Sequence, residues 1–569
     1  MNIYKAQKIA LKRYGVDVSV VRNDRSTIIT GKCDDWQKIV DIGKLFVKRG
    51  LHVVNDIEYI GHVEPKPSMP MISDNALDGT EWDVVIVGGG ISGCCIAREL
   101  SRFNLKILLC EKHHDVAHGA SGANDGMVHA GIDLKHKCNK LKYVVKGNQM
   151  YDELCRQLGV DFVRNGQYVV FQSRLIKLLA SSYLIRAKRH KIKGVKFVGK
   201  QICKIEPTVK DYAVGALKIP TTGAVSPYKL TIALAENAVQ NGVKVSLNTV
   251  VTGMKKNFDL ITDVQTNRGA VKTKLVINCA GVYADQIAQM ADDRYFSIHA
   301  RKGTDLLLDE NAQNVPRNAI SLAPTLKTLK QNKNTKGGGI IITVDGNVLL
   351  GPDAVEVFDR EDTSTVASSV NNVFLKQQKC CPSLKKSDII AYFSGVRACT
   401  YEEDFLIERS KKVPNLLHVA GIQSPGLTCA PAFSVDVAKM AVDYLNTLQK
   451  VEKNANFNPE RKKPIVVKML SDEGKNELIK KNADYGKIIC RCRQISLGEI
   501  KDAINNPLEV CTIDSVKRRV GAGMGRCQGG FCMPQILKII AEEKGVNYCD
   551  IKKSDEDSFV AVSEIKPKD

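Results

Sequence analysis

No apolar run in this chain approaches the roughly 18 residues that a membrane-spanning helix needs, so no segment reads as transmembrane. The opening MNIYKAQKIALKRYG has lysines but neither an apolar core nor a small-residue cleavage site, which argues against a secretory signal and predicts a cytoplasmic protein. Acidic residues are outnumbered, 62 against 83 basic ones, for a formal net charge of +21. That excess is spread along the chain and never gathers into a basic block interleaved with aromatics, which argues against a nucleic-acid partner and leaves solvated faces or anionic ligands. A disulfide framework is also unexpected without a signal peptide, despite 18 cysteines. Cys94, Cys95, Cys110 and Cys279 lie in apolar patterns and read as small buried hydrophobes. At 569 residues with an ordinary 44% hydrophobic share, the chain is expected to form more than one globular domain.

What is present centres on WDVVIVGGGISGCCIARELSRFNLKILLCEK, residues 82 to 112. An apolar run of strand type breaks on Gly88, Gly89 and Gly90, a helical pattern follows, and a second apolar run ends in Glu111. Gly88-x-Gly90-x-x-Gly93, with an acid 18 positions beyond the last glycine, is the spacing of a dinucleotide site. The glycines permit a tight turn and close backbone approach to a pyrophosphate, the helix N-terminus offers N–H groups to it, and Glu111 would accept hydrogen bonds from a ribose.

Around this unit the chain divides. Residues 1–62 pattern as a small α+β module, with β-rich runs at 26–31 and 51–60 around an amphipathic helix at 34–47. Its run IITGKCDDWQKIVDIGKLFVKRGLHVVNDI resembles the BON type of lipid- or protein-binding domain. Residues 63–80, with Pro65, Pro67 and Pro70, form a linker, and 81–450 the main domain. Within it, HHDVAHGASGANDGMVHAGID is a small-residue loop containing His129, and 244–251 and LVINCAG read as strands. Residues 295–392 carry short β-runs expected to form an antiparallel, substrate-facing sheet, while GIQSPGL is a turn before a long amphipathic helix at 428–448. Residues 451–485 are lysine-rich with little periodicity and read as a second linker, ahead of a domain at 486–545 and a tail at 546–569.

That last domain holds Cys490-x-Cys492 and Cys527-x4-Cys532, 34 residues apart. Two close thiolate pairs on converging turns suit a metal centre. Structural zinc favours spacers of two to four and often histidine; one spacer here is a single residue, and no histidine lies between Cys490 and Cys532. That leaves an iron–sulfur centre as one reading, with zinc and unliganded thiols as its rivals.

Segments in order from about 83 to 448, VVIVGGGISG, EKHHDVAHGASGANDGMVHAGID, LTIALAENAVQNGVKVSLNTVVTG, LVINCAGVYAD, FSGVRA and VAGIQSPGLTCAPA, resemble the flavin-dependent D-amino-acid oxidase superfamily and most closely its glycerol-3-phosphate dehydrogenase and oxidase branch. The resemblance implies FAD, with Gly88, Gly90 and Gly93 at the pyrophosphate, Glu111 at the ribose, Ser121, Asn124 and Gly126 on the flavin side, Val251 at the adenine, and Gly281, Gly421, Ile422 and Gln423 at the isoalloxazine edge. A helix N-terminus behind Gly426 would favour negative charge on the reduced ring. It also implies that His129 is the general base and that Arg397, with Arg301 and Lys302, binds a phosphate, Ser424 adding a hydroxyl. Imidazole suits proton removal from an alcohol near neutrality, and guanidinium offers phosphate a planar fork of donors. Where oxidases of this branch read ANSG, this chain reads Ala123-Asn124-Asp125-Gly126, and a carboxylate there repels a phosphate unless Asp125 points away or is paired. The segment VKRRVGAGMGRCQGGFC resembles the bacterioferritin-associated ferredoxin type of [2Fe-2S] domain found on the large subunit of anaerobic glycerol-3-phosphate dehydrogenase.

The fold expected is thus α/β: a Rossmann-like FAD domain with an inserted antiparallel-sheet substrate domain, a small N-terminal α+β module and a small helical [2Fe-2S] domain. The activity expected is oxidation of a small phosphorylated polyol, sn-glycerol 3-phosphate, to dihydroxyacetone phosphate. Flavin takes two electrons and a [2Fe-2S] cluster carries one, so the cluster implies stepwise export to an acceptor subunit or a quinone, the latter at the inner face of the membrane. Two other functions fit the same segments: oxidation of another small 2-hydroxy acid or amine, and electron transfer without catalysis.

Overall fold

The computed structural model describes residues 2–174, 180–323, 338–555 and 557–563. The N-terminal module is a three-stranded sheet, Val18–Arg22, Ser26–Cys33 and His52–Tyr59, in that spatial order. The first pair is antiparallel; the second is parallel, joined by the helix Trp36–Leu45 that Asp35 caps through the Lys38 N–H. The module docks on the main domain. Tyr401 completes its apolar core, the Tyr401 hydroxyl accepts from Asn55, and Arg25 pairs with buried Asp293. The segment 63–80 contains no helix or strand but is tied down where Asp74 meets Arg268 and Leu77 enters a buried cluster.

Among the described residues the main domain has two large sheets and a small three-stranded one, Met127–Val128, Gly223–Val225 and Phe162–Val163, antiparallel in that order. In the first, five strands run parallel in the order Lys244–Ser246, Ile107–Cys110, Glu81–Val87, Gly269–Asn278 and Leu416–Ala420, so both ends of the region build the nucleotide half. Val84, Val85 and Ile86 are fully buried because helices cover one face, Ile91–Leu100 and Gly426–Leu445 among them, and an antiparallel extension packs on the other. The strand expected over 244–251 is interrupted: Asn248 adopts positive φ, and a new strand, Val251–Asn257, turns away to pair antiparallel with Leu260–Thr266.

The second sheet has nine strands among the described residues. Its centre is the long pair Ile298–Leu308 and Ile389–Thr400, antiparallel with Arg301 opposite Arg397, Gly303 opposite Gly395 and Asp305 opposite Phe393. The expected antiparallel sheet at 295–392 is there, with two additions. Gln167–Phe171, Lys196–Phe197 and Gly215–Ile219 join it from earlier in the chain, and Ala319–Leu322 runs parallel to Gln167–Phe171.

At the C-terminal end, residues 451–471 cross back over the main domain, where Arg461 pairs with buried Glu236. The lysine-rich segment read as linker contains a helix, Asp472–Lys481, started by Ser471 accepting from the Gly474 N–H. Next come the hairpin Ile488–Cys490 with Ile495–Ser496 and the helices Leu497–Ile504, Ile513–Val520 and Met533–Lys544 around their own core of Ile500, Val516, Ile536 and Ile540. Reciprocal capping boxes, Ser496 with Glu499 and Thr512 with Ser515, fix where the first two helices begin. No helix among the described residues is long and apolar enough to cross a membrane.

Candidate active site and cluster site

The glycine turn is built for close approach. Gly88 has φ of +106°, and a Cβ on it would lie 2.6 Å from the Cys279 carbonyl oxygen. A Cβ on Gly93 would lie 2.0 Å from the Gly88 carbonyl oxygen, so only glycine lets the helix Ile91–Leu100 sit this near the turn. The helix has no side-chain cap of its own; the Ser121 hydroxyl accepts from the Ile91 N–H at 2.8 Å. Glu111 is buried and accepts from the N–H groups of Gly89 (2.6 Å) and His113 (3.0 Å), which holds its carboxylate at the turn with lone pairs left for a ribose.

The loop from Ser121 to His129 shapes itself. Asn124 donates to the carbonyls of Ala120 and Ser121 and accepts from the Gly126 N–H. Gly126 has φ of +67°, and a Cβ there would strike the Val225 carbonyl at 2.3 Å. Asp125 accepts from the Met127 N–H at 3.0 Å, so one carboxylate oxygen is turned onto its own backbone. The His129 N–H donates to the Thr428 hydroxyl, and the residue lines a small cavity with Gln167 and Pro425. Gly421 has φ of +66°, with Thr400 too close for any side chain, while Gly281 has φ of +58° and open space above its Cα. Gln423 is buried between Glu403 and Cys399, Ile422 packs under Gly426, and Ser424 and Pro425 lead into the helix Gly426–Leu445, which has no side-chain cap. Val251 begins its strand at the far side of the nucleotide sheet.

The three cations expected at a phosphate are not equivalent. Arg301 is buried and held by Glu356 at 2.8 Å and Glu403 at 2.5 Å, and Lys302 by Asp362 at 2.6 Å. The acids that claim them lie far along the sequence, so these two are parts of the framework. Among the described residues Arg397 instead donates only to a backbone oxygen, that of Asp353, at 3.2 and 3.3 Å. Its guanidinium lies against Gly303, where a Cβ would meet Nη2 at 2.1 Å, and a Cβ on the neighbouring Gly395 would meet the Ala123 carbonyl oxygen at 2.1 Å. The loop carrying Asp125 and His129 therefore packs directly on the strand carrying Arg397.

One acid of the site is not foreshadowed by any motif. Asp305 is 1% exposed, and its Oδ1 has no hydrogen-bond partner. Burial, reinforced by the charge of Asp125 and only partly offset by Arg397, pushes its carboxyl well above the usual range. The only sequence signal is an acid inside the apolar strand segment TDLLLD.

In the C-terminal domain the four expected cysteines converge. Sγ of Cys492 lies 3.8 Å from that of Cys490 and 3.9 Å from that of Cys527, and Cys532 adjoins Cys490. Gly525 faces the Cys492 sulfur, where a Cβ would stand 2.4 Å away. The N–H groups of Gly529, Phe531 and Gly530 point at Cys527 and lower its thiol pKa, whereas burial and the neighbouring thiols raise those of Cys492 and Cys532. Four converging sulfurs, one of them accepting backbone N–H bonds, are a donor set for an iron–sulfur centre. The domain is no loose appendage. Arg518 and Arg519 clamp fully buried Asp115, at 2.7 and 2.8 Å, just beyond the Glu111 loop.

Residues 83–440 match the model of the DAO family, FAD dependent oxidoreductase. The chain belongs to the DAO family of FAD dependent oxidoreductases. Residues 488–542 match the BFD-like [2Fe-2S] binding domain. This FAD-dependent oxidoreductase is 41% identical to the glycerol 3-phosphate dehydrogenase of Caloramator mitchellensis over 85% of the chain and 99% of that protein. It is 22% identical to one subunit of the anaerobic glycerol-3-phosphate dehydrogenase of Escherichia coli K12, over 80% of the chain and 87% of that protein. Among solved structures, FAD-bound L-alpha-glycerophosphate oxidase of Mycoplasma pneumoniae superposes with a TM-score of 0.62 at 30% identity, covering 68% of this chain and all of the other. The cofactors are FAD and a [2Fe-2S] cluster, and the glycine cradle and the cysteine quartet fit them.

Proposed function

We propose that this flavoprotein oxidises sn-glycerol 3-phosphate to dihydroxyacetone phosphate and sends the electrons through its [2Fe-2S] cluster to an acceptor subunit or a quinone, docking peripherally on the membrane when the acceptor is a quinone. The observation that carries the reading is Arg397, a guanidinium with no ion-pair partner among the described residues, on a strand that packs against the His129 loop. FAD held at the Gly88–Gly93 turn and Glu111 would supply the hydride acceptor. Arg397 binds the phosphate through its planar fork, and His129 takes the hydroxyl proton as the substrate carbon is oxidised. Ser424 adds a hydroxyl contact at the turn. The helix Gly426–Leu445 presents its N-terminal N–H groups to negative charge developing in the crevice. Asp125 is compatible with a phosphate because one of its oxygens is tied to the Met127 N–H.

The test is anaerobic mixing of the holoenzyme with glycerol 3-phosphate, followed by absorbance, and turnover with an artificial acceptor. Loss of the oxidised flavin band on mixing is the expected result, together with a fall in kcat of about 10²–10⁴ for His129→Asn. A flavin left oxidised by glycerol 3-phosphate but reduced by an amine or a 2-hydroxy acid overturns the substrate. Wild-type turnover in His129→Asn overturns the role of the histidine.

A further inference from the structure

Directly after Glu111 the chain reads HHDVAH two residues on, and three histidines of this loop turn toward one carboxylate of the C-terminal tail. Asp555 Oδ2 lies 3.0 Å from His113 Nδ1 and 3.5 Å from His118 Nδ1, while Oδ1 lies 2.7 Å from His114 Nδ1. The rings of His113 and His118 are stacked with centroids 4.6 Å apart. Ligand atoms from His113, His118 and Asp555 all fall within 4.8 Å of one another. The loop is fixed to the nucleotide turn, since the His113 N–H donates to Glu111, and the tail is fixed to the cluster domain, since the Ile513 and Asp514 N–H groups donate to the carbonyls of Lys552 and Lys553.

We propose that His113, His118 and Asp555 form a binding site for a divalent transition ion of the zinc type, separate from the cysteine quartet. Two imidazoles and a carboxylate are a ligand set such ions accept, with a fourth position left to water. Bonds of about 2.0–2.2 Å in a tetrahedron place ligand atoms about 3.3 Å apart, and the two separations from Asp555 Oδ2 bracket that figure at 3.0 and 3.5 Å. His114 acts on the other oxygen and orients the carboxylate, as second partners of metal-bound groups do. The nearby Arg518 would oppose a cation, but its charge is met by Asp115 at 2.7 Å. Such an ion joins the tail of the cluster domain to the loop beside the FAD ribose. Neither half of the site is complete alone.

The experiment uses the full-length holoenzyme, stripped with a mild chelator that leaves the iron in place, then loaded with zinc chloride, desalted and assayed for zinc, iron and flavin. One zinc per chain is expected in the wild type, with iron and flavin unchanged. His118→Ala and Asp555→Asn are expected to lose that zinc with the same iron content. His114→Ala should weaken zinc binding by about 10–100-fold. In parallel, zinc should slow tryptic cleavage after Lys552 and Lys553 in the wild type only. Failure of the wild type to retain zinc overturns the proposal. So does zinc retained equally by His118→Ala and Asp555→Asn, which would place it on the cysteines or the surface.

Discussion

At the scale of single residues, Arg397 and Asp305 interact on the paired central strands of the second sheet. Asp305 is buried with an unpartnered oxygen, so ionising it inside the fold is costly. Its folded pKa lies above the unfolded value, so folding favours the protonated form and stability falls as pH rises from about 4 toward the folded pKa, by about 1.4 kcal/mol per pH unit across that window. Asp305→Asn keeps the shape without the titration. Its Tm should exceed that of the wild type at pH 8 and converge with it near pH 4; a gap that does not change with pH would remove Asp305 from this role. Nothing in the strand sequence announces this behaviour, because burial is created by Gly351 and the Asp125 loop closing over the site from elsewhere. The framework role of Arg301 and Lys302 is hidden in the sequence for the same reason. Their partners Glu356, Glu403 and Asp362 are 55 to 102 residues away, whereas the glycines of 88 to 93 are legible because turn, helix and strand are contiguous.

At the scale of elements, the pairing of Ile298–Leu308 with Ile389–Thr400 converts two glycines into a mould. Gly303 gives Arg397 its path, and Gly395 gives the flavin-side loop its seat. Gly303→Ala places a methyl 2.1 Å from Nη2 of Arg397 and must displace the guanidinium while leaving the nucleotide sheet intact. KM for glycerol 3-phosphate should rise by at least about tenfold, the loss of one charged hydrogen bond of about 1.5–3 kcal/mol, with FAD content unchanged. Arg397→Ala should match or exceed it. An unaltered KM in Gly303→Ala would show that Arg397 does not hold the substrate. Gly93→Ala is the contrasting case: its Cβ collides with the Gly88 carbonyl, so it should lower FAD content first. Elements are legible where period and punctuation agree, as in the parallel strands and the cysteine hairpin. They are missed where chemistry is surface-like. The helix Asp472–Lys481 has no buried residue and so no apolar stripe to read.

Across the whole molecule, two small bodies are attached to the flavin domain by buried ion pairs, Arg25 with Asp293 at one side and Arg518 and Arg519 with Asp115 at the other. The second attachment matters for electron flow, because it fixes the cysteine quartet relative to the nucleotide crevice. Burial alone would raise the Asp115 pKa, but Arg519 and Arg518 outweigh it and hold it at about 2. A depressed carboxylate stabilises above its unfolded pKa near 3.9 and loses that contribution as pH falls through the folded value, so docking by this pair is intact at neutral pH and fails between about pH 4 and 2. Asp115→Asn leaves Arg518 without its carboxylate and Arg519 with only Glu236 at 3.6 Å, a loss of up to about 3–5 kcal/mol for a broken buried pair. The substrate crevice lies on other residues, so flavin reduction by glycerol 3-phosphate should keep its wild-type rate in this variant. Appearance of the reduced-cluster signal after substrate should slow instead, and trypsin should release the domain faster. Equal slowing of flavin and cluster reduction would place the defect in the crevice, and unchanged kinetics in both would mean that docking through Asp115 does not set the electron path.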